Sequence, residues 1–195
     1  MLFRSDLYGS GEVRLTVWQN LIIPNIPDHF VPTVRRALEK TGLGWRQSNI
    51  TSGIIACTGN SYCKFAQSCT KEHALDLMDW LDKRVKLDRP VNVHLTGCPN
   101  SCAQHYMGDI GLLGTKVKIG GESVDGYHVF VGGGFGKHQA VGRQVFNGVA
   151  AGDLPLTIEK MLRAYLRKRE KHESFQAFTT RHELSALQGI FSNDE

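Results

Sequence analysis

A strand pattern runs directly into a pair of cysteines in VNVHLTGCPNSC, residues 91–102. Its first part, Val91 to Leu95, alternates apolar and polar residues, as a half-buried strand does. Gly97 lets the chain turn sharply, and Pro99 suits the first position of a short helix, where no backbone donor is needed. If that helix forms, the C-x3-C spacing puts both sulfurs on one face. The stretch therefore predicts two thiols presented at the end of a strand.

A second pair of cysteines follows another strand pattern. Residues 53–57, Gly-Ile-Ile-Ala-Cys, are typical of a buried strand that ends at Cys57, and a loop leads to Cys63. This C-x5-C pair lies 34 residues before the C-x3-C pair of Cys98 and Cys102. Because both pairs follow strands, the strand ends can bring all four thiols to one place. A [4Fe–4S] cube requires four such thiolates, one for each iron.

Spacing alone leaves other interpretations open. Structural zinc sites use closely spaced cysteine pairs, which C-x5-C fits poorly. Free cysteines are also often buried as small apolar side chains. The fifth cysteine, Cys69, lies outside both pairs, and we interpret it as a spare thiol on the side of the following helix.

The composition is that of a globular protein and excludes several classes. The 195 residues allow one large domain or one full and one partial domain. The net charge of +4 does not argue for nucleic acid, and no run of 18 apolar residues predicts a membrane span. The first residues lack a signal-peptide pattern, and five cysteines do not form a dense disulfide scaffold. We therefore expect a cytoplasmic protein, with its thiols kept reduced.

The remaining elements predict a mixed α+β chain. Strand patterns occur at residues 12–18, 21–23, 110–113 and 127–131. Apolar residues at helical spacing predict three helices: one with Val31, Val34 and Leu38 that Asp28 can cap, one across residues 74–85, and one that opens at Asp153. The unit formed by the first two strands and the first helix is too small to bury a core alone.

Several motifs together resemble the sirohaem-containing nitrite and sulfite reductases. Residues 96–102, followed after six residues by Asp-Ile-Gly-Leu at 109–112, resemble that family's signature. Residues 56–63, Ala-Cys-Thr-Gly-Asn-Ser-Tyr-Cys, resemble the first cysteine pair of its nitrite branch, as do Arg-Pro-Val at 89–91 and the histidine at position 94. Residues 14–23 are similar to its second ferredoxin-like half-domain.

The resemblance implies both a fold and a set of ligands. It implies an α+β fold, with a ferredoxin-like half-domain at residues 1–48 and a mixed α/β sirohaem and iron–sulfur domain at residues 49–195. Its cofactors are a [4Fe–4S] cluster and sirohaem. The cluster ligands it implies are Cys57, Cys63, Cys98 and Cys102. Cys102 is also implied as the axial ligand of the sirohaem iron.

The resemblance also implies a reaction and its partners. The reaction is the six-electron reduction of nitrite to ammonium, with sulfite reduction as the alternative, and ferredoxin is an example of the electron donor. In the family, the Arg and Lys side chains that bind the anion lie mainly in an N-terminal half that this sequence lacks. A chain that carries this half is therefore an expected partner, and the catalytic residues stay unassigned. A non-catalytic iron–sulfur subunit for electron transfer is the other alternative.

Other candidate residues have a structural and a functional interpretation. Arg14, Gln19 and Asn20 either contact a cofactor or belong to a strand. His94 and His105 flank the second cysteine pair and either tune a cluster through hydrogen bonds or are packed. The glycines of residues 132–136 are better suited to tight packing than to phosphate binding. A basic helix end is either a solvated face or a ferredoxin docking patch: Lys160, Arg163, Arg167, Lys168, Arg169 and Lys171.

Overall fold

The computed structural model describes residues 2–192, which form two compact units, with the boundary between Ser48 and Asn49. Six α-helices and seven β-strands among these residues confirm the predicted α+β class. Within residues 2–192, no helix is long and apolar enough to span a bilayer.

The first unit contains two helices and a small hairpin. Its elements are α1 (Leu2–Tyr8), β1 (Arg14–Leu15), β2 (Leu21–Ile22), a 3₁₀ turn (Asp28–Phe30) and α2 (Val31–Glu39). The strands β1 and β2 pair in antiparallel register.

The predicted strand at residues 12–18 is mostly wrong, since only Arg14 and Leu15 are strand. The backbone N–H of Gln19 donates to the carbonyl of Thr16, which closes a turn, and Gln19 adopts a φ of +59°. Asp28 does not cap α2, because it forms part of the 3₁₀ turn that precedes the helix.

The second unit is built on a five-stranded mixed sheet in the order β3-β4-β5-β6-β7. The strands are β3 (Ile54–Ala56), β4 (Val93–Thr96), β5 (Ile110–Ile119), β6 (Glu122–Val131) and β7 (Arg143–Ala150). The first three run parallel, and β5, β6 and β7 pair in antiparallel fashion. Every residue of β3 and β4 is buried, as expected for parallel strands inside a sheet.

Helices pack beside one another against this sheet. They are α3 (Thr70–Arg84), α4 (Leu154–Lys168), α5 (Phe175–Arg181) and α6 (Leu184–Ser192). The core joins the apolar faces of these helices with the inner strands, and fully buried examples are Leu81, Leu95 and Tyr165. A hydrogen bond links α3 to α4: the indole N–H of Trp80 donates to the carboxylate of Glu159 at 2.7 Å.

A glycine of the signature and one of the glycine run at residues 132–136 permit close backbone contacts. A Cβ atom at Gly111 would lie 1.9 Å from the carbonyl oxygen of His105, so no larger residue fits there without a shift. A Cβ atom at Gly133 would lie 2.4 Å from the carbonyl oxygen of Gly108 and 2.5 Å from that of Tyr106. The glycine-rich segment therefore packs against the loop that precedes β5, as its packing interpretation predicts.

Candidate functional site

The cysteine pairs emerge at one edge of the sheet. Since β3 and β4 are parallel and Ala56 lies opposite Leu95, the chain leaves both strands at the same carboxyl end. The backbone N–H of Cys57 donates to the carbonyl of Leu95 at 3.0 Å, which extends the ladder by one step. We call residues 57–69 the first cysteine loop and residues 97–102 the second cysteine loop.

The two loops contact each other directly at Gly97. Its backbone N–H donates to the sulfur of Cys57 at 3.1 Å, and its carbonyl accepts from the N–H of Gln67 at 2.7 Å. A Cβ atom at Gly97 would lie 2.6 Å from the Cβ of Ala66. Glycine therefore allows the two loops to approach each other, and its amide gives the sulfur a hydrogen-bond donor.

Thr70 fixes the start of the first cysteine loop. Its buried hydroxyl donates to the carbonyl of Cys57 at 2.8 Å and lies 3.5 Å from the sulfur of the same residue. Cys63 lies within a turn of the loop, where its N–H donates to the carbonyl of Gly59 at 3.0 Å. Gly59 adopts a φ of +77°, a conformation that favours glycine.

The second cysteine loop is not the helix that the C-x3-C spacing predicts. It consists of turns, in which the N–H of Ser101 donates to the carbonyl of Cys98 and Ser101 adopts a φ of +54°. A left-handed residue interrupts a right-handed helix, so the two thiols do not share a helical face. Cys98 is buried, whereas Cys102 is exposed.

The structure thus brings the two loops together, and their chemistry fits an iron–sulfur cube. Within residues 2–192, no group of three His, Cys, Asp or Glu side chains is arranged to hold a single metal ion. A cube needs a different arrangement, with one thiolate at each of four irons and therefore ligands spaced across the cluster. Two contacting loops that carry four thiols are a suitable donor set. One of these thiols, that of Cys57, also accepts a hydrogen bond from a backbone N–H. The assignment of these four cysteines as ligands stays a prediction.

Cys69 has a separate environment at the start of α3. Its sulfur lies 3.2 Å from the hydroxyl of Ser61, and its N–H donates to the carboxylate of Asp125 at 2.8 Å. Sequence reasoning missed Asp125, because it lies on β6, 56 residues further along the chain. No local signal marked it, because the predicted strand began only at residue 127.

The two histidines contact the second cysteine loop and the turn that follows it. His94 Nδ1 lies 3.0 Å from the carbonyl oxygen of Gln104, and burial lowers its pKa. His105 Nδ1 lies 2.9 Å from the hydroxyl of Ser101, and its ring stacks at a tilt on Tyr106. Burial, together with the nearby His94, lowers the pKa of His105 to about 4, so this ring is neutral at pH 7.

The other candidates form internal contacts. In the first unit, Arg14 pairs with Glu12, and the side-chain oxygen of Asn20 accepts from the amide of Gln47. Asn20 also lines a groove of that unit with Gln19.

At the basic helix end, two arginines form ion pairs with carboxylates. Arg163 forms an ion pair with Glu159, and Arg169 pairs with Asp88. Arg167, Lys168 and Lys171 are exposed.

The fold and the cysteine loops define an iron–sulfur domain of a reductase family. Residues 48–187 match the nitrite and sulphite reductase 4Fe-4S domain, and residues 5–41 match the nitrite/sulfite reductase ferredoxin-like half domain. The chain therefore belongs to the nitrite and sulfite reductase 4Fe-4S domain family. This family carries a [4Fe–4S] cluster and sirohaem, which confirms the predicted cofactors.

Particular relatives are reductases of both kinds. The chain is 42% identical over 158 residues to ferredoxin–nitrite reductase of Synechococcus elongatus, which covers 81% of this chain and 31% of that protein. It is 36% identical over 180 residues to sulfite reductase [ferredoxin] 1 of Mycolicibacterium paratuberculosis, which covers 89% of this chain and 32% of that protein. The solved structure of the Mycobacterium tuberculosis NirA protein matches 95% of this chain and 35% of its own, with a TM-score of 0.89 and 32% identity. The chain thus spans about a third of the length of the relatives it matches.

Proposed function

We propose that this chain is the cluster-bearing part of a nitrite reductase that reduces nitrite to ammonium with six electrons. In this proposal Cys57, Cys63, Cys98 and Cys102 would hold the [4Fe–4S] cluster, and the sulfur of Cys102 would also bind the sirohaem iron. The observation that supports it most is the meeting of the two cysteine loops, where Gly97 donates to the Cys57 sulfur. When bound, the two cofactors would store and transfer the six electrons, a number that no side chain holds.

The residues of the chain contribute position and charge stabilisation. The parallel strands β3 and β4 fix where each loop begins, so the thiols of Cys57 and Cys98 start from a rigid base. The N–H of Gly97 stabilises negative charge on the Cys57 sulfur, and such hydrogen bonds are one of the means by which proteins set a cluster's potential. The exposed Cys102 is the thiol best placed to be shared with a second, larger cofactor.

Nitrite is the favoured substrate because the relatives named nitrite reductases include the one at 42% identity. The sulfite reductase at 36% identity keeps sulfite as the alternative. Both anions need cationic groups near the open face of the haem, which this proposal assigns to the rest of a longer protein or to a partner chain.

The same relatives support ferredoxin as the electron donor, since their names include it. The exposed Arg167, Lys168 and Lys171 form a positive surface that can attract an acidic donor. The cluster needs reduced thiols, which supports a reducing compartment, and we propose the cytoplasm.

Anaerobic reconstitution with ferrous iron, sulfide and sirohaem tests the proposal. We expect about four irons for each chain, as a cube requires, and absorption bands of the tetrapyrrole. Cys98→Ala should lose this iron, while Cys69→Ser, a matched thiol outside the two pairs, should retain it. Nitrite loss with reduced methyl viologen is then measured for the chain with a relative's N-terminal half.

Two results would oppose the proposal in different ways. A colourless product after reconstitution would contradict the cluster itself. A cluster that forms without tetrapyrrole bands or nitrite loss would instead support an electron-transfer subunit.

A further inference from the structure

One carboxylate of the β5–β6 hairpin forms hydrogen bonds with the end of the first cysteine loop. Oδ2 of Asp125 accepts from the backbone N–H of Cys69 at 2.8 Å and from the side-chain amide of Asn60 at 3.2 Å. Oδ1 of the same carboxylate accepts from Lys116, its cross-strand neighbour on β5. One side chain of the sheet therefore joins two points of the loop that are nine residues apart in sequence.

Ser68 adds a second connection to the same hairpin. Its fully buried hydroxyl donates to the carbonyl of Gly126 at 2.9 Å, with the carbonyl of Thr115 at 3.4 Å. The carbonyl of Ser68 in turn accepts from the N–H of Asn60 at 3.1 Å. The loop is thus closed on itself at the place where the hairpin holds it.

The hydrogen bonds around Asp125 favour the ionised form of its carboxyl group. Burial opposes ionisation, but the hydrogen bonds from Lys116, the Cys69 N–H and Asn60 outweigh it and lower the pKa of the carboxyl. Hydrogen bonds to an ionised acceptor are stronger than those between neutral groups. The link between hairpin and loop is therefore present as a charged acceptor at neutral pH.

We propose that Asp125 is a positioning residue that pre-forms the first cysteine loop for its cluster. The proposal rests on the proposed function, since it takes Cys57 and Cys63 as cluster ligands. The ladder contact to Leu95 fixes one end of the loop and Asp125 fixes the other, so Cys63 lies on a segment held at both ends. A loop held in this way loses less conformational entropy when a cluster binds.

The test compares two carboxylates on the same strand. Asp125→Asn keeps the size of the side chain but removes its charge, and Asp125→Ala removes the acceptor. Glu122→Gln is the matched control, because Glu122 is an exposed carboxylate of β6. Each variant is measured for amide hydrogen exchange of residues 57–70 in the cluster-free chain and for the rate of iron release to a chelator after reconstitution.

We expect loop exchange in Asp125→Ala to rise about tenfold or more, since a hydrogen bond to a charged group is among the stronger ones. Iron release should accelerate in parallel, Asp125→Asn should show a smaller change in the same direction, and Glu122→Gln should match the wild type. Unchanged loop exchange or unchanged iron release in both Asp125 variants would overturn this proposal.

The exchange measurement keeps the two proposals separate. In one outcome the wild-type chain takes up no cluster, while Asp125→Ala still increases exchange in the loop. The proposed function then fails. Asp125 would have only a structural role, so the proposal that it positions the loop for a cluster is overturned as well. If the wild type holds a cluster and the Asp125 variants hold it equally well, only the role of Asp125 is overturned.

Discussion

The backbone N–H of Gly97 donates a hydrogen bond to the sulfur of Cys57, 3.1 Å away, although 40 residues separate the two in sequence. Parallel strands make this contact possible, because β3 and β4 deliver their following residues to the same edge of the sheet. The contact joins the two cysteine loops directly. It is therefore a direct structural link between the two cysteine motifs.

Replacing Gly97 with alanine should separate the two loops. The added Cβ would lie 2.6 Å from the Cβ of Ala66, so one loop must move. Overpacking of this kind costs on the order of 1–3 kcal/mol. We expect lower stability in urea and less iron after reconstitution for Gly97→Ala. Gly152→Ala is the control, since nothing lies within 4 Å of a Cβ there. Equal iron content in the two variants would contradict the prediction.

Replacing Thr70 with valine should weaken the anchor of the first cysteine loop. Valine keeps the shape but removes the hydroxyl that donates to the carbonyl of Cys57. Losing one such hydrogen bond in a buried position costs about 1–3 kcal/mol. The midpoint of urea unfolding should fall for Thr70→Val and stay near the wild type for Thr70→Ser, which retains the donor. A drop of the same size in both variants would show that the hydroxyl is not the cause.

Local patterns in the sequence predicted the parts of the site that depend on local structure. The apolar run before Cys57 predicted a buried strand, and the alternation before Gly97 predicted a half-buried one. Both strands are present, but the second is also fully buried, because it lies inside the sheet. The long helix after the first cysteine loop follows from apolar residues at helical spacing, although it begins at Thr70 and ends at Arg84. Strand ends and helices are set by neighbouring residues, so one sequence suffices to find them.

Tertiary contacts decided the parts that the sequence did not reveal. Strands β5 and β6 extend well beyond their apolar portions, and Lys116 and Asp125 pair across the hairpin in that extension. Strand β7 was not predicted, since the register shifts where it pairs with β6, opposite Phe146. The helix expected after Cys98 is absent because Ser101 turns into the left-handed region, which serine seldom adopts. No periodicity signals any of these three features.

Serine substitutions should distinguish the cysteines of the site. Cys98→Ser should lose cluster iron, because this buried thiol is a proposed ligand. Cys102→Ser should abolish the magnetic coupling between cluster and haem, measured by electron paramagnetic resonance. Cys69→Ser should retain iron and coupling, since its sulfur lies beside Ser61 and outside both pairs. Iron loss in Cys69→Ser equal to that in Cys98→Ser would reverse the assignment of these two residues.

The stability of the second unit should depend on pH through Asp109. Its carboxylate accepts from the backbone and the side chain of Asn92 at 2.8 and 3.2 Å, but burial raises its pKa from 3.8 to about 6. A raised pKa in an acid means that the folded chain binds the proton more tightly than the unfolded chain. This contribution to stability is complete below pH 4 and is lost as the pH rises through 6.

Asp109→Asn removes this titration while keeping an acceptor oxygen. Relative to the wild type, the variant should therefore gain on the order of 2–3 kcal/mol between pH 4 and pH 7.5, because each unit of pKa shift corresponds to about 1.4 kcal/mol. Urea unfolding of the cluster-free chain at several pH values measures the difference, in which the titration of all other groups cancels. A difference that stays constant across this range would show that Asp109 ionises in the folded chain as readily as in the unfolded one.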